Sequence, residues 1–118
     1  MRVMLVDDSK TMRRIQINQL TGLGISDIIE AEDGRDALLK LAANMPVDYI
    51  FLDWNMPLMN GYDCLVAIRK EKMYSGVKVI MCTSESEKSR VLDALKAGAN
   101  NYIVKPFDDK AIKEKLLL

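Results

Sequence analysis

The sequence predicts an α/β, doubly wound fold in which five parallel strands form one sheet with helices on both faces. Apolar runs of strand length recur along the chain, and segments with helical spacing of apolar residues lie between them. Glycine or proline stands at the junctions, where such units need a break. Near-continuous apolar strands that alternate with helices are typical of a parallel sheet covered on both sides.

The predicted strands are short runs rich in β-branched and aromatic residues. They cover residues 3–6, 28–29, 49–52, 77–81 and 102–104. We expect the strand order 2-1-3-4-5, which is common among doubly wound sheets. In such sheets ligands bind at the carboxyl ends of the strands, near the point where the strand order reverses.

The helices between these strands are predicted from apolar residues three or four positions apart, the spacing of a helix packed by one face. Their expected buried residues are Met12, Ile15, Leu20 and Leu23, then Ala37, Leu38 and Leu41, then Leu65 and Ile68, and finally Val91, Leu92 and Leu95. The breaks follow at Gly22, Gly24, Pro46, Gly76 and Gly98. A last helix after Pro106 can be capped by Asp108 or Asp109.

Composition limits the classes of function. The 118 residues suit one domain, 1–118, and a hydrophobic content of 49% suffices for a core. The 17 basic and 17 acidic residues balance, which argues against binding to nucleic acid or to an anionic membrane through bulk charge. Cys64 and Cys82 lie outside any CxxC spacing and are expected in the core of a protein from a reducing compartment. With no leader and no apolar run near the ~20 residues of a membrane span, we expect a cytoplasmic protein.

Polar residues follow four of the five strands. Asp7 and Asp8 follow the first strand, Asp53 the third, Thr83 the fourth and Lys105 the fifth. In the order 2-1-3-4-5 the first and third strands are neighbours, so the three acids should meet at one edge of the sheet. Such crowded carboxylates repel one another unless a cation neutralises them.

The predicted cation is Mg²⁺. The chain contains no histidine, so any metal must be held by oxygen. A cluster that is rich in acids and incomplete suits Mg²⁺, which keeps several waters and binds phosphate as well.

Each of these residues also has an ordinary structural interpretation. An Asp-Asp-Ser run is often a helix N-cap, and Asp53 can begin a simple turn. Thr83 and Ser84 can cap the next helix, and Lys105 before a proline can be a solvated break. The ordinary interpretations become less convincing when these residues are considered together, because chance seldom places acids, a hydroxyl and a lysine on one sheet edge.

Six segments carry a resemblance to a known family. VDDSKTMRR, AEDG, LDWNMP, MCTSE, AGANNY and VKPF, in this order and spacing, resemble the receiver domain of bacterial response regulators, and the match runs almost from end to end. Within that family the run from Asp53 to Pro57 and the TMRR of the first helix resemble most the chemotaxis regulators. The resemblance implies a flavodoxin-like fold.

The resemblance also implies the chemistry of the cluster. Asp53 would be the phosphoacceptor, taking a phosphoryl group from a phosphohistidine on a separate histidine kinase. Asp7, Asp8, Asp53 and the backbone carbonyl of Asn55 would hold Mg²⁺. Lys105, aimed by a cis bond to Pro106, would pair with a phosphoryl oxygen.

The resemblance implies a switch as well. Thr83 would bond to the phosphoryl group and move inward, which lets Tyr102 change from an outer to an inner rotamer. The surface of the fourth helix, fifth strand and fifth helix would then present a new face to an output protein, for which the flagellar motor switch is the chemotaxis-like expectation. Asn55 and Glu85 would tune dephosphorylation, with or without a separate phosphatase partner, and Ser84 stands where the family usually carries Ala or Gly.

Three other functions are kept as alternatives. The chain could be a receiver domain cut from a longer transcriptional response regulator, because its last segment, KAIKEKLLL, is short. It could be an aspartate-nucleophile, Mg²⁺-dependent phosphatase, although Asn55 cannot act as the general acid that such enzymes place two residues after the nucleophile. It could also be a binding module that ignores metal, which the intact set of acids, threonine and lysine argues against. In the leading hypothesis the protein is no enzyme beyond its own phosphorylation and dephosphorylation.

Overall fold

The computed structural model describes residues 1–84 and 89–117. Its parallel sheet has the order β2-β1-β3-β4-β5, which confirms the predicted fold class and strand order. The strands are β1 (Arg2–Val6), β2 (Asp27–Ala31), β3 (Tyr49–Asp53), β4 (Lys78–Thr83) and β5 (Asn101–Val104). Each strand therefore lies where an apolar run was predicted, with its ends shifted by up to two residues.

The helices occupy the predicted segments between the strands. They are α1 (Lys10–Gly22), α2 (Gly34–Asn44), α3 (Gly61–Lys70), α4 (Val91–Lys96) and α5 (Asp109–Lys115), and a 3-10 turn follows α3 at Lys72–Tyr74. Side-chain oxygens cap the first turns of α1, α2, α3 and α5, from Ser9, Asp33, Asn60 and Asp108. Among the described residues no helix has the length and apolar character needed to span a membrane.

The core lies on both faces of the sheet, because successive strand residues point to opposite sides. Met4 of β1 packs with the buried residues of α2, α3 and α4, whereas its neighbour Leu5 packs with those of α1 and α5. All residues of β3 are buried, as expected for the central strand. Cys64 and Cys82 are buried thiols, as the sequence indicated, and burial raises the pKa of Cys64 to about 12.

Two predicted helix stripes are partly wrong. In α1, Ile15 is 46% exposed, and the neighbouring Gln16 takes the buried position. In α4 the buried residues are Val91 and Ala94, while Leu92 is 59% and Leu95 40% exposed. The spacing of apolar residues does not determine which of two adjacent stripes of a helix faces the sheet. In α4 the small side chain of Ala94 allows the helix to pack closely against the sheet. The outer surface of α4 consequently carries two exposed leucines beside the charged Asp93 and Lys96.

A second correction concerns the ends of the strands. Asp53 and Thr83 were expected just past the apolar runs, but each is the last residue of its strand. Asp53 lies opposite Cys82 in the register, and Thr83 lies opposite Val104. Both side chains are therefore held by the sheet itself and not by the following loop.

Candidate functional site

Three carboxylates meet at the carboxyl edge of the sheet, as predicted. Val6 pairs with Leu52, so Asp7, the first residue after β1, lies beside Asp53, the last residue of β3. One carboxylate oxygen from each of Asp7, Asp8 and Asp53 lies within 4.8 Å of the others. Asp7 and Asp53 are buried whereas Asp8 is exposed, so the cluster is open to solvent on one side.

Lys105 joins two of these acids. Its Nζ lies 2.7 Å from Asp53 Oδ1 and donates a hydrogen bond of 2.9 Å to Asp7 Oδ2. The backbone N–H of Lys105 donates to the carbonyl oxygen of Thr83 at 2.7 Å, and the Lys105–Pro106 bond is cis, as the resemblance implied. A residue just outside β5 is thereby held against the ends of β1 and β3.

The electrostatics of the cluster favour an added cation. Burial raises the pKa of Asp53 to about 6; the ion pair with Lys105 opposes this shift, and Asp7 and Asp8 add to it. Burial alone would lower the pKa of Lys105, but its bonds to Asp53 and Asp7 outweigh burial and raise it. The single positive charge of Lys105 thus does not fully neutralise the negative charge of the three carboxylates.

Thr83 contributes a buried hydroxyl group. Its side chain is fully buried, and Oγ1 has no hydrogen-bond partner among the residues that the structure describes. A buried polar group without a partner costs free energy, so such groups in native proteins call for a functional explanation. The hydroxyl stands one residue beyond Cys82, the register partner of Asp53.

The loop after Asp53 returns to the strand that it leaves. Gly61 donates its N–H to the carbonyl oxygen of Trp54 at 2.8 Å, and a Cβ on Gly61 would lie 2.2 Å from the carbonyl oxygen of Asp53. The Trp54 ring is buried, with Tyr62 6.0 Å away between ring centroids and the Arg90 guanidinium 6.0 Å from its centroid. Sequence reasoning did not identify Gly61: the Asn60–Gly61 pair signals a turn, but a close approach of two backbone segments has no local signature.

The other predicted site residues lie farther along the edge or outside it. Tyr102 is half-buried on β5, and Lys115 Nζ lies 5.2 Å from its ring centroid. Asn55 is exposed in the loop after β3, and its carbonyl as a metal ligand stays a prediction. Glu85 lies outside the described residues.

The residues present fit a divalent metal ion. Asp7, Asp8 and Asp53 offer carboxylate oxygens, the ligand type that Mg²⁺ prefers, within reach of one ion. Burial is the main cause of the raised pKa of Asp53, and repulsion by Asp7 and Asp8 adds to it; a bound cation would relieve that repulsion. Asp8 is exposed, so an ion could enter from solvent and keep water ligands.

Comparison with known proteins agrees with this geometry. The family model described as "Response regulator receiver domain" matches residues 3–117. The chain is 51% identical to a chemotaxis protein CheY homolog of Campylobacter jejuni over 98% of this chain and 89% of the relative. It is 49% identical to the chemotaxis protein CheY1 of Helicobacter pylori over 98% of this chain and 94% of the relative.

The solved structures lead to the same conclusion. The chemotaxis protein CheY4 of Vibrio cholerae superimposes with a TM-score of 0.89 at 31% identity, over 98% of this chain and 95% of that one. The aspartate-nucleophile phosphatase and the longer transcriptional regulator are not favoured by these comparisons. The chain belongs to the response regulator receiver domain family of two-component signalling.

Proposed function

We propose that this protein is a signalling switch in which Asp53 accepts a phosphoryl group from the phosphohistidine of a histidine kinase, with Mg²⁺ held by Asp7, Asp8, Asp53 and the Asn55 backbone carbonyl. The observation that carries the proposal is the position of Asp53. Its carboxylate ends a fully buried strand, at a solvent-open edge, with Lys105 Nζ 2.7 Å away. A rigid strand fixes the nucleophile, and the open edge admits the donor.

The chemistry follows from this arrangement. A carboxylate oxygen of Asp53 attacks the phosphorus, the bond from phosphorus to the histidine nitrogen breaks, and that nitrogen leaves with the electron pair. When bound, Mg²⁺ supplies positive charge for the phosphoryl oxygens. Lys105, already beside the attacking carboxylate, is placed to pair with a phosphoryl oxygen as charge accumulates there.

The response starts at Thr83. Its buried hydroxyl, which has no hydrogen-bond partner among the described residues, can donate to a phosphoryl oxygen on Asp53, a contact that only the phosphorylated protein would make. Movement of Thr83 would free space for Tyr102, now half-buried on β5. The output face is then α4, β5 and α5, where Leu92 and Leu95 are exposed and available to a partner.

The relatives named as chemotaxis proteins support a role in chemotaxis. On this proposal the domain spans residues 1–118 and works in the cytoplasm. Its partners are a histidine kinase as phosphodonor, the flagellar motor switch as output, and a phosphatase that resets the signal. The protein acts as no enzyme beyond its own phosphorylation and dephosphorylation.

The test is covalent labelling. Incubation of the protein with Mg²⁺ and acetyl phosphate should add one phosphoryl group, seen by intact mass and lost on treatment with hydroxylamine, which cleaves acyl phosphates. Chelation of Mg²⁺ should prevent the addition. A protein that stays unlabelled under these conditions would contradict the proposal.

Mg²⁺ should stabilise the wild-type protein against unfolding, because a ligand that binds only the native state shifts the equilibrium by mass action. At ten times its dissociation constant the gain would be about 1.4 kcal/mol. Asp8→Ala should erase most of this gain, since Asp8 is the exposed acid of the cluster. Thermal unfolding with and without Mg²⁺ measures the gain in the wild type and in Asp8→Ala. The matched control is Asp93→Ala, because Asp93 is an exposed acid on α4. An unchanged Mg²⁺ response in Asp8→Ala would place the metal elsewhere.

The phosphorylated protein should be short-lived, decaying over seconds to minutes. Water must attack the acyl phosphate in line, so side chains beside that path set the lifetime. Asn55, two residues after Asp53, and Glu85, two residues after Thr83, are the proposed flanking residues. Asn55→Arg should lengthen the half-life by blocking water. Decay after donor removal measures it, and a wild-type half-life of hours, or faster decay in the variant, would contradict rapid resetting.

A further inference from the structure

The loop between β3 and α3 contains an unusual backbone conformation at Leu58. Its φ is 68°, and the N–H of Met59 donates to the carbonyl oxygen of Pro57 at 2.7 Å. A hydrogen bond between residues two apart, with a positive φ at the central residue, defines the rare and strained class of γ-turn. Glycine, asparagine and aspartate tolerate positive φ more readily than leucine.

The side chain of Leu58 does not compensate for this conformation by packing. It is 78% exposed, whereas its half-buried neighbours Met56 and Met59 pack against the core. A leucine at this position therefore lowers stability without filling any space in the free protein. Strain that persists in this way points to a function.

The turn is held firmly at both ends. The hydrogen bond between Gly61 and the carbonyl oxygen of Trp54 closes the base of the loop. Met59 packs so closely on Gly34 that a Cβ there would lie 2.8 Å from Met59 Cγ. Leu58 is consequently presented in a fixed position.

Leu58 lies in the loop that directly follows the proposed phosphoacceptor, Asp53. The loop begins at the residue after Asp53 and leaves the carboxyl edge of the sheet, the edge that also carries Asp7 and Lys105. A phosphohistidine must reach Asp53 across this edge, so the protein surface around that histidine has to cover residues at its rim. The contact between the donor protein and this rim is therefore continuous with the site where the phosphoryl group is transferred.

We propose that Leu58 is a specificity-determining residue that packs into an apolar depression beside the phosphohistidine of the donor protein, an inference that rests on the proposed role of Asp53. A small acyl phosphate offers no such surface, so Leu58 would distinguish protein donors from small ones. The free energy gained when a leucine side chain is buried against the donor corresponds to an increase of about tenfold or more in kcat/KM. Because the turn is already formed in the free protein, the loop loses little conformational entropy on binding.

The test compares two donors on the 118-residue protein. One is acetyl phosphate, and the other is the phosphorylated histidine phosphotransfer domain of a chemotaxis kinase. Leu58→Asn relaxes the turn and removes the apolar side chain, while Leu58→Met keeps an apolar side chain. Leu39→Asn is the control, because Leu39 on α2 is also exposed, at 72%.

We expect Leu58→Asn to lower kcat/KM for the phosphotransfer domain about tenfold, mainly through KM, and to leave labelling by acetyl phosphate within about twofold of wild type. Leu58→Met and Leu39→Asn should behave as wild type with both donors. The urea midpoint of Leu58→Asn should rise, since asparagine accepts positive φ.

Each other result has a defined meaning. Equal slowing with both donors would mean that Leu58 shapes the site and does not recognise the donor, and no slowing with either would also overturn the inference. A wild-type protein that neither donor labels would remove the proposed function of Asp53, and this inference with it.

Discussion

An Asp53→Asn variant is expected to lose all phosphoryl labelling and yet to unfold at higher urea concentration than the wild type at pH 7.5. Labelling is lost because the amide is a poor nucleophile, and the fold should persist because asparagine has nearly the same shape. Intact mass after incubation with Mg²⁺ and acetyl phosphate measures the first effect. Undiminished labelling of the variant would mean that another residue is the acceptor.

The gain in stability follows from the raised pKa of Asp53. In the folded protein this pKa is about 6, above its ordinary value of 3.8. Between these two pH values the unfolded chain releases the proton while the folded protein retains it, so the free energy of unfolding falls as pH rises. This cost to the free energy of unfolding is fully developed above pH 6 and absent below about pH 4, and its size is on the order of 1–3 kcal/mol.

Asparagine at position 53 removes this cost. Urea unfolding of both proteins without metal, at pH 7.5 and at pH 4, should show a stability difference at the higher pH that closes at the lower one. Comparing the two proteins at each pH cancels the titration of all other groups. A variant that is less stable than the wild type at pH 7.5 would show that the ion pair with Lys105 outweighs burial and repulsion.

Gly61→Ala should destabilise the protein by about 3 kcal/mol and slow phosphorylation at least tenfold. The new Cβ would lie 2.2 Å from the carbonyl oxygen of Asp53 and 3.0 Å from the Cα of Trp54. Both neighbours are backbone atoms and cannot rotate away, so either the loop or the end of β3 must move. A shift of β3 displaces the acceptor itself.

The matched control is Gly22→Ala. Gly22 is also a terminal residue of a helix, but a Cβ there meets no atom within 4 Å. Alanine favours the helix, so this variant should be neutral or more stable by up to about 1 kcal/mol. Chemical unfolding and the rate of labelling by acetyl phosphate measure both variants. Two alanine variants of equal stability would show that the close approach at Gly61 is not a constraint.

The sequence was sufficient to predict the fold class and the acid cluster. Apolar strand runs and breakers define the five units, and the rule that parallel strands end on one edge brings Asp7, Asp8 and Asp53 together. That prediction needs only strand order, because a carboxylate at a strand end has little freedom in where it lies. Lys105 was identified for the same reason.

Other features depend on contacts that no local pattern encodes. The orientation of α4 could not be predicted, because Val91 with Ala94 and Leu92 with Leu95 form two competing apolar stripes and only packing against the sheet decides between them. Leu58 in a γ-turn runs against the ordinary preference of leucine, so sequence rules favour a different turn residue. Its conformation depends on how Met59 and Gly61 are packed.

The brevity of α4 has a thermodynamic consequence for the proposed switch. With six residues the helix makes fewer than two turns, and Val91 and Ala94 are its buried residues, so its orientation is held by a small free energy. Linkage makes any coupling reciprocal: if phosphorylation favours an orientation of α4 that an output protein prefers, the bound output protein must favour the phosphorylated form by the same factor. The abundance of the output protein would then help to set the fraction of molecules that carry phosphate at a given kinase activity.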